Sequence, residues 1–254
     1  MLGPRAMRDR LFRSRAELEA HQLERLNDLL AALRGPNRFY APRLRAAGLG
    51  DGVASLADFA ARMPTTTKAE LVADQEHHPP YGTNLTFALE AYTRLHATSS
   101  TTGRVPLRWL DTPESWEWLM DGWDHTLEGA GLGRGDRILF AFSFGPFIGF
   151  WVGFEAALRR GALCLPGGSL SSAARAELLF ANRATAVCCT PTYALHLGEE
   201  VRAAGRAVPS IKAVIVAGEP GGCVPATRAR GQTGRMRLPR RPLRPCASCT
   251  VATP

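Results

Sequence analysis

One segment gathers the groups that could hold phosphate oxygens: His96-Ala97-Thr98-Ser99-Ser100-Thr101-Thr102-Gly103-Arg104-Val105-Pro106. Five consecutive hydroxyl residues, a glycine and then a cation make a loop dense in donors. Hydroxyl and backbone N–H groups can bond phosphate oxygens while the guanidinium offsets their charge. A plain surface loop would draw on the same residue types, because Ser, Thr and Gly punctuate any chain. The segment is not a Walker A loop, since Gly-x-x-x-x-Gly-Lys-Ser/Thr is absent. Other chemistries find less support. His125 and His196 sit in helical stretches with no acid set to orient either, His77-His78 precedes Pro79-Pro80 in a loop, and no Gly-x-Ser-x-Gly elbow is present. Cys246-Ala247-Ser248-Cys249 has zinc-knuckle spacing, but even with Cys223 it falls short of the four ligands a structural zinc needs. Asn84-Leu85-Thr86 matches a glycosylation acceptor, which matters only in a secreted protein.

The elements that must position such a loop are legible from periodicity. Ser14 and Glu17 have capping-box spacing, and Leu23, Leu26, Leu30 and Leu33 follow on one face until Gly35-Pro36 ends the helix. Thr67 with Glu70 opens a second, shorter helix. A third starts at Thr112-Pro113 and carries Trp116, Leu119, Met120, Trp123 and Leu127 on one side, a core stripe or a stacking surface for a cofactor. From Asp136 the texture changes. Ile138–Phe144, Ala162–Pro166, Ala184–Thr190 and Lys212–Ala217 read as buried strands, with helices near Phe147–Arg160, Ser171–Ala181 and Tyr193–Ala204. This alternation predicts an α/β fold: a helical N-terminal region, then a mostly parallel sheet with flanking helices. Ligands of such sheets lie beyond the carboxyl ends of the strands. Three regions are expected: residues 1–110 ending in the hydroxyl-rich loop, 111–222 as the α/β part, and 223–254 as a disordered basic tail.

Composition limits the function classes. The chain has 254 residues, 45% hydrophobic and 21% charged, enough for a sizeable core and unlike collagen, disulfide miniproteins or disordered chains. Its net charge of +8 suggests nucleic acid until it is divided. Seven arginines and no acid lie between Cys223 and Pro254, leaving 24 basic against 23 acidic groups before them. The tail holds no aromatic residue for base stacking, so no specific nucleic-acid partner is expected. Ile138–Phe154 is uncharged but short for a membrane span and broken by Gly145-Pro146, so no membrane partner is expected either. Few cysteines, with Cys188-Cys189 inside an apolar run, and an N-terminus without a signal-peptide core predict a cytoplasmic protein with reduced thiols.

The hydroxyl-rich loop resembles the phosphate-binding signature of adenylate-forming (AMP-dependent synthetase) enzymes, in the version used by the phenylacetate–CoA ligase family. Three more segments match that family in order. They are Pro64-Thr65-Thr66-Thr67-Lys68-Ala69-Glu70-Leu71, Cys189-Thr190-Pro191-Thr192-Tyr193-Ala194 and the Ala217-Gly218-Glu219-Pro220-Gly221 loop. The resemblance implies a ligase that joins a small aryl or acyl carboxylic acid to coenzyme A, using ATP and Mg²⁺ and passing through an acyl-adenylate. It assigns Thr98, Ser99, Ser100, Thr101, Thr102, Gly103 and Arg104 to the nucleotide phosphates. It assigns Gly218, Glu219, Pro220, Tyr193, Phe144 and Gly145 to the nucleotide and acyl groups; Phe142 and Phe147 extend the aromatic run. No residue is assigned to catalysis.

Departures qualify this picture. Ser100 replaces a glycine of the family signature, Arg104 replaces its lysine, and Val105 separates the cation from Pro106. A serine forced to φ > 0 would cost about 1–2 kcal/mol, and a planar guanidinium is not a point charge. After Pro220 the sequence has no Tyr-Gly-x-Thr-Glu element, and its only lysines, Lys68 and Lys212, do not stand where the family's adenylation lysine would. A truncated ligase, weak or inactive alone, is therefore expected, with its missing part possible on a separate polypeptide and its frame departing from the family near Gly231. A non-catalytic nucleotide- or acyl-binding protein, or an unselected remnant on the same scaffold, is the alternative. The sheet edge after Lys212–Ala217 is expected to be open and prone to aggregation.

Overall fold

The computed structural model describes residues 14–98, 106–218 and 250–252. The chain divides into two compact units, Met1–Trp116 and Glu117–Pro254.

In the first unit, the leucine stripe organises a small helical core. Helix α1 (Arg15–Leu33) is capped by Ser14, whose hydroxyl accepts from the Glu17 N–H at 3.1 Å. Leu30 packs with Leu44, Leu49 and Val53, flanked by Leu23, Leu26 and Leu33. Two short helices, α2 (Tyr40–Ala46) and α3 (Leu56–Arg62), supply the facing surfaces. The Asn27 side chain closes the intervening loop by bonding both the N–H and the carbonyl of Val53, at 2.8 and 3.1 Å. Helix α4 (Lys68–His77) starts on the full capping box read from Thr67 and Glu70. The Thr67 N–H, the Arg43 guanidinium and the Thr67 hydroxyl together hold the Glu70 carboxyl down to about 2. Strands β1 (Arg94–Ala97) and β2 (Arg108–Asp111) then pair antiparallel, His96 opposite Trp109.

Helix α5 (Pro113–Gly129) leads to the sheet. Strands β3 (Arg137–Phe140), β4 (Leu163–Pro166), β5 (Ala186–Cys189), β6 (Ala213–Val216) and β7 (Thr250–Ala252) form one sheet in the order β4-β3-β5-β6-β7. The first four are mutually parallel, as expected, and β7 joins β6 antiparallel. One expectation is corrected by β7: the β6 edge is paired, because Thr250-Val251-Ala252 hydrogen-bonds along Val214–Val216. The other tail residues lie outside the described ones.

Side chains alternate across the sheet. Leu139, Leu165, Val187 and Cys189 face helices α7 (Ser172–Ala181) and α8 (Pro191–Ala203), meeting Ala176, Leu179 and Leu197. On the opposite face, the Phe140 ring meets Phe154 of helix α6 (Ile148–Arg159) at 5.1 Å. Helices on both faces are what a buried parallel sheet requires. Trp116, Met120 and Leu127 are buried, so the α5 stripe is core. Arg159 of α6 binds three acids of α5, Glu117 at 2.6 Å, Asp121 at 2.8 Å and Asp124 at 2.6 Å. No helix among the described residues is long and apolar enough to cross a membrane.

Candidate functional site

The hydroxyl-rich loop joins β1 to β2, so its two ends are carried on paired strands. Thr98 is the one loop residue of the candidate set within the described residues; Ser99, Ser100, Thr101, Thr102, Gly103 and Arg104 lie outside them. Thr98 closes the base. Its N–H donates to the Leu107 carbonyl at 3.0 Å and its hydroxyl accepts from the Leu107 N–H at 3.1 Å. That hydroxyl keeps a proton to donate, but its first task here is to fix the loop's ends. Two strand residues deepen the anchor. His96 is buried, stacks on the Trp116 ring at 5.0 Å, and faces Asp111 across the hairpin with Nε2 3.6 Å from Oδ2. The other Asp111 oxygen accepts from the Ser115 hydroxyl at 3.1 Å. The pair was not singled out from sequence; Asp111 lies two residues beyond Trp109, the register partner of His96, so the contact runs diagonally across the hairpin.

In the second unit the described candidates follow the carboxyl ends of three strands, Phe144 and Gly145 after β3, Tyr193 after β5 and Gly218 after β6. Strand β3 stops at Phe140 rather than running to Phe144, because the chain turns at Ser143-Phe144-Gly145-Pro146 into α6. Phe144 is half-buried within an aromatic group, its ring 5.2 Å from Phe142, 4.9 Å from Trp151 and 5.2 Å from Phe154. The Gly145 carbonyl accepts from the Trp151 indole at 3.0 Å. Beyond β4 the chain runs close beneath this group. A Cβ on Gly168 would lie 2.8 Å from the Phe144 ring, and one on Gly167 would lie 2.8 Å from the Phe140 carbonyl oxygen. Ser169 holds φ of 59°, a left-handed conformation uncommon outside glycine, at the same turn.

After β5, Thr190 caps α8 through its hydroxyl and Pro191 takes the first turn, the arrangement that presents Tyr193. The Tyr193 hydroxyl donates to Ser172 Oγ at 3.1 Å, and the Arg175 guanidinium lies 4.8 Å over its ring. After β6, Gly218 turns with φ of 92°, a conformation that suits glycine; Glu219 and Pro220 lie outside the described residues. Sequence reading missed Ser172 and Arg175 in this neighbourhood and gave His196 no role. His196 stands one helical turn beyond Tyr193, three residues on, and that spacing could have paired them.

The amino ends of the strands contrast with this. Lys212 Nζ lies 3.0 Å from Asp136 Oδ1 and donates to the Gly131 carbonyl at 2.9 Å. It therefore stands at the amino ends of the strands. Among the described residues no three His, Cys, Asp or Glu side chains converge to hold a metal ion. Burial pushes the Cys164 thiol up to about 12 and leaves it protonated.

No family model matches the chain. Curated relatives do. Phenylacetate-coenzyme A ligase of Escherichia coli (strain K12) is 28% identical over 190 residues, covering 73% of this chain and 41% of that protein. The ligase of the same name from Thermus thermophilus is 30% identical over 194 residues, covering 75% and 42%. The chain matches the N-terminal portion of the phenylacetate–CoA ligase family. It thus spans about two fifths of the length of these curated ligases. Among solved structures, an open conformation of 2-hydroxyisobutyryl-CoA ligase, in complex with 2-HIB-AMP and CoA, superposes with a TM-score of 0.76 at 28% identity. That match covers 83% of this chain and 50% of the other. The same ligase in its thioesterification state gives 0.69 at 29% identity, over 75% and 40%. The α/β fold is accordingly that of adenylate-forming CoA ligases.

Proposed function

We propose that this chain carries the phosphate-gripping and acyl-lining part of an ATP-dependent acyl–CoA ligase. In that reaction a carboxylate attacks the α-phosphorus of ATP, releasing pyrophosphate, and coenzyme A thiol then displaces AMP from the acyl-adenylate to give a thioester. The Thr98–Arg104 segment would hold the β- and γ-phosphates through hydroxyl and N–H donors, with Arg104 offsetting their charge. Gly218, Glu219 and Pro220 would flank the nucleotide, and Phe144, Gly145 and Tyr193 the acyl group. The observation that carries this reading is positional. The hydroxyl-rich segment is closed at its base by Thr98 and Leu107, in a chain that superposes on a CoA ligase over 83% of its length.

Adenylation by these residues alone is proposed to be weak. The sequence after Pro220 has no Tyr-Gly-x-Thr-Glu element, and Lys212 is committed to Asp136. Losing one preorganised transition-state donor costs about 3–4 kcal/mol, roughly 10²–10³ in rate. The comparisons lend no support to a second polypeptide that would restore it. The test mixes the purified chain with ATP, Mg²⁺ and arylacetic acids and follows exchange of labelled pyrophosphate into ATP. ATP at 100 times its Kd should also stabilise the fold by about 2.7 kcal/mol. Stabilisation that survives Arg104→Met and Thr102→Val together would overturn the phosphate grip. Stabilisation by ATP without any exchange would favour the alternative of a non-catalytic binding protein on this scaffold.

A further inference from the structure

The carboxyl-end lip of the sheet has two chemically different halves. One is apolar, the half-buried rings of Phe144 and Trp151. The other is polar and unusually rich in groups that donate to oxygen. Ser172 Oγ receives the Tyr193 hydroxyl at 3.1 Å and lies 3.0 Å from His196 Nε2. Arg175 spreads over the Tyr193 ring and spends its Nε on the Gly167 carbonyl, at 2.6 Å. Among the described residues no carboxylate stands opposite Arg175, and the carboxylate near His196 is that of Glu200, at 3.9 Å. The halves are joined physically. Gly167 accepts from Arg175, while Gly168 lies under the Phe144 ring. An apolar wall that passes into hydroxyl, imidazole and guanidinium donors recognises a molecule that is apolar in its body and carries oxygen at its far end.

Resting on the reading of Phe144 and Tyr193 as acyl-lining residues, we propose that the acid taken by this site bears a second oxygen group, hydroxyl or carboxylate, remote from the reacting carboxylate. Ser172, His196 and Arg175 are its specificity-determining residues. The shared chemistry is an oxygen acceptor. A hydroxyl would engage the Ser172–His196 pair, whereas a carboxylate would also draw on the terminal nitrogens of Arg175. Discrimination of this kind is steep, because a site built to bond an oxygen leaves its own donors unpaired when the oxygen is missing.

The experiment is calorimetric binding of phenylacetate, 4-hydroxyphenylacetate and 1,4-phenylenediacetate to the full chain. The two oxygen-bearing acids are expected to bind about tenfold tighter than phenylacetate, the effect of one good polar contact. Ser172→Ala and His196→Gln should bring that ratio to about one by weakening the two oxygen-bearing acids more than phenylacetate, and Arg175→Gln should weaken the diacid more than the phenol. His196 is exposed, so its variant tests the idea even if the Ser172 variant folds poorly. Equal affinities for the three acids would overturn the specificity and leave the acyl site standing. A preference that persists in the variants would overturn these residues as its source. Failure of every acid to bind would sink the acyl-site reading itself.

Discussion

The two ends of the parallel sheet are made from the same strands and serve opposite purposes. At the amino ends, Asp136 is saturated: the Gly133 N–H donates to one carboxylate oxygen at 2.9 Å, and Thr185 and Lys212 bind the other at 2.8 and 3.0 Å. Thr185 in turn accepts from the Arg137 N–H at 2.9 Å, and Arg137 reaches the Arg183 carbonyl at 2.8 Å. At the carboxyl ends the chain instead offers glycines in close backbone contact, aromatic rings left half-buried and an arginine with no acid facing it among the described residues. A satisfied network rigidifies, whereas donors left facing outward are available to a ligand. Satisfied polar groups are thus concentrated at one end of the sheet, and close-packed glycines and half-buried rings at the other.

The sharpest way to break this contrast is to attack the saturated end. Asp136→Ala should destabilise the fold by about 2 kcal/mol, because it removes the acceptor shared by the part-buried Gly133 N–H, the Thr185 hydroxyl and Lys212. Denaturant melts would show this, with acid binding intact when folded. Next comes Gly167→Ala, whose new Cβ would meet the Phe140 carbonyl at 2.8 Å. About 2 kcal/mol of overpacking is expected. Unlike the first variant, this one should also lose acid affinity in titration. Arg159→Met removes the clamp on Glu117, Asp121 and Asp124, and should cost only about 1 kcal/mol because these groups are partly solvated.

Acidity offers a finer probe. Burial alone would raise the Asp136 carboxyl, but the Gly133 N–H, Lys212 and Thr185 outweigh it and hold the group below the usual carboxylate range. A carboxyl lowered on folding stabilises at pH above its unfolded value of about 3.9 and loses that contribution as pH falls through the folded one. Melting temperature should therefore be flat from neutrality to about pH 5 and decline below about pH 4. Asp136→Asn should blunt the decline. Smallest of all should be the response to alkylating reagents. Cys164, Cys188 and Cys189 are buried and should stay unlabelled by iodoacetamide at pH 8 until the protein unfolds, as read by mass spectrometry.

Much of this organisation was legible in the sequence, because local rules agreed with the global fold. The leucine stripe of α1, the Thr67–Glu70 capping box and the strand–helix alternation from Asp136 all fell within a few residues of the elements observed. Strand β3 was read too long because Phe142 and Phe144 continue its apolar texture past the point where backbone pairing stops; apolar texture reports burial, not hydrogen bonding. The β7 pairing was missed since three residues carry no periodicity of their own. The Ser172–Tyr193–His196 contact joins two helices across 21 and 24 residues, and His96–Asp111 depends on strand register. Neither distance is written in local spacing.

The Gly167 turn has one more consequence. Its N–H donates to the Phe140 carbonyl at 2.9 Å, and its missing side chain lets the two backbones touch. The floor of the lip is main chain against main chain, and no mutation can deepen it by trimming an atom. If this lip is the acyl site, room for a larger molecule must come from the Phe144 ring over Gly168. Variation in what this scaffold accepts should consequently be concentrated in a few rings, with the turn beneath them held constant.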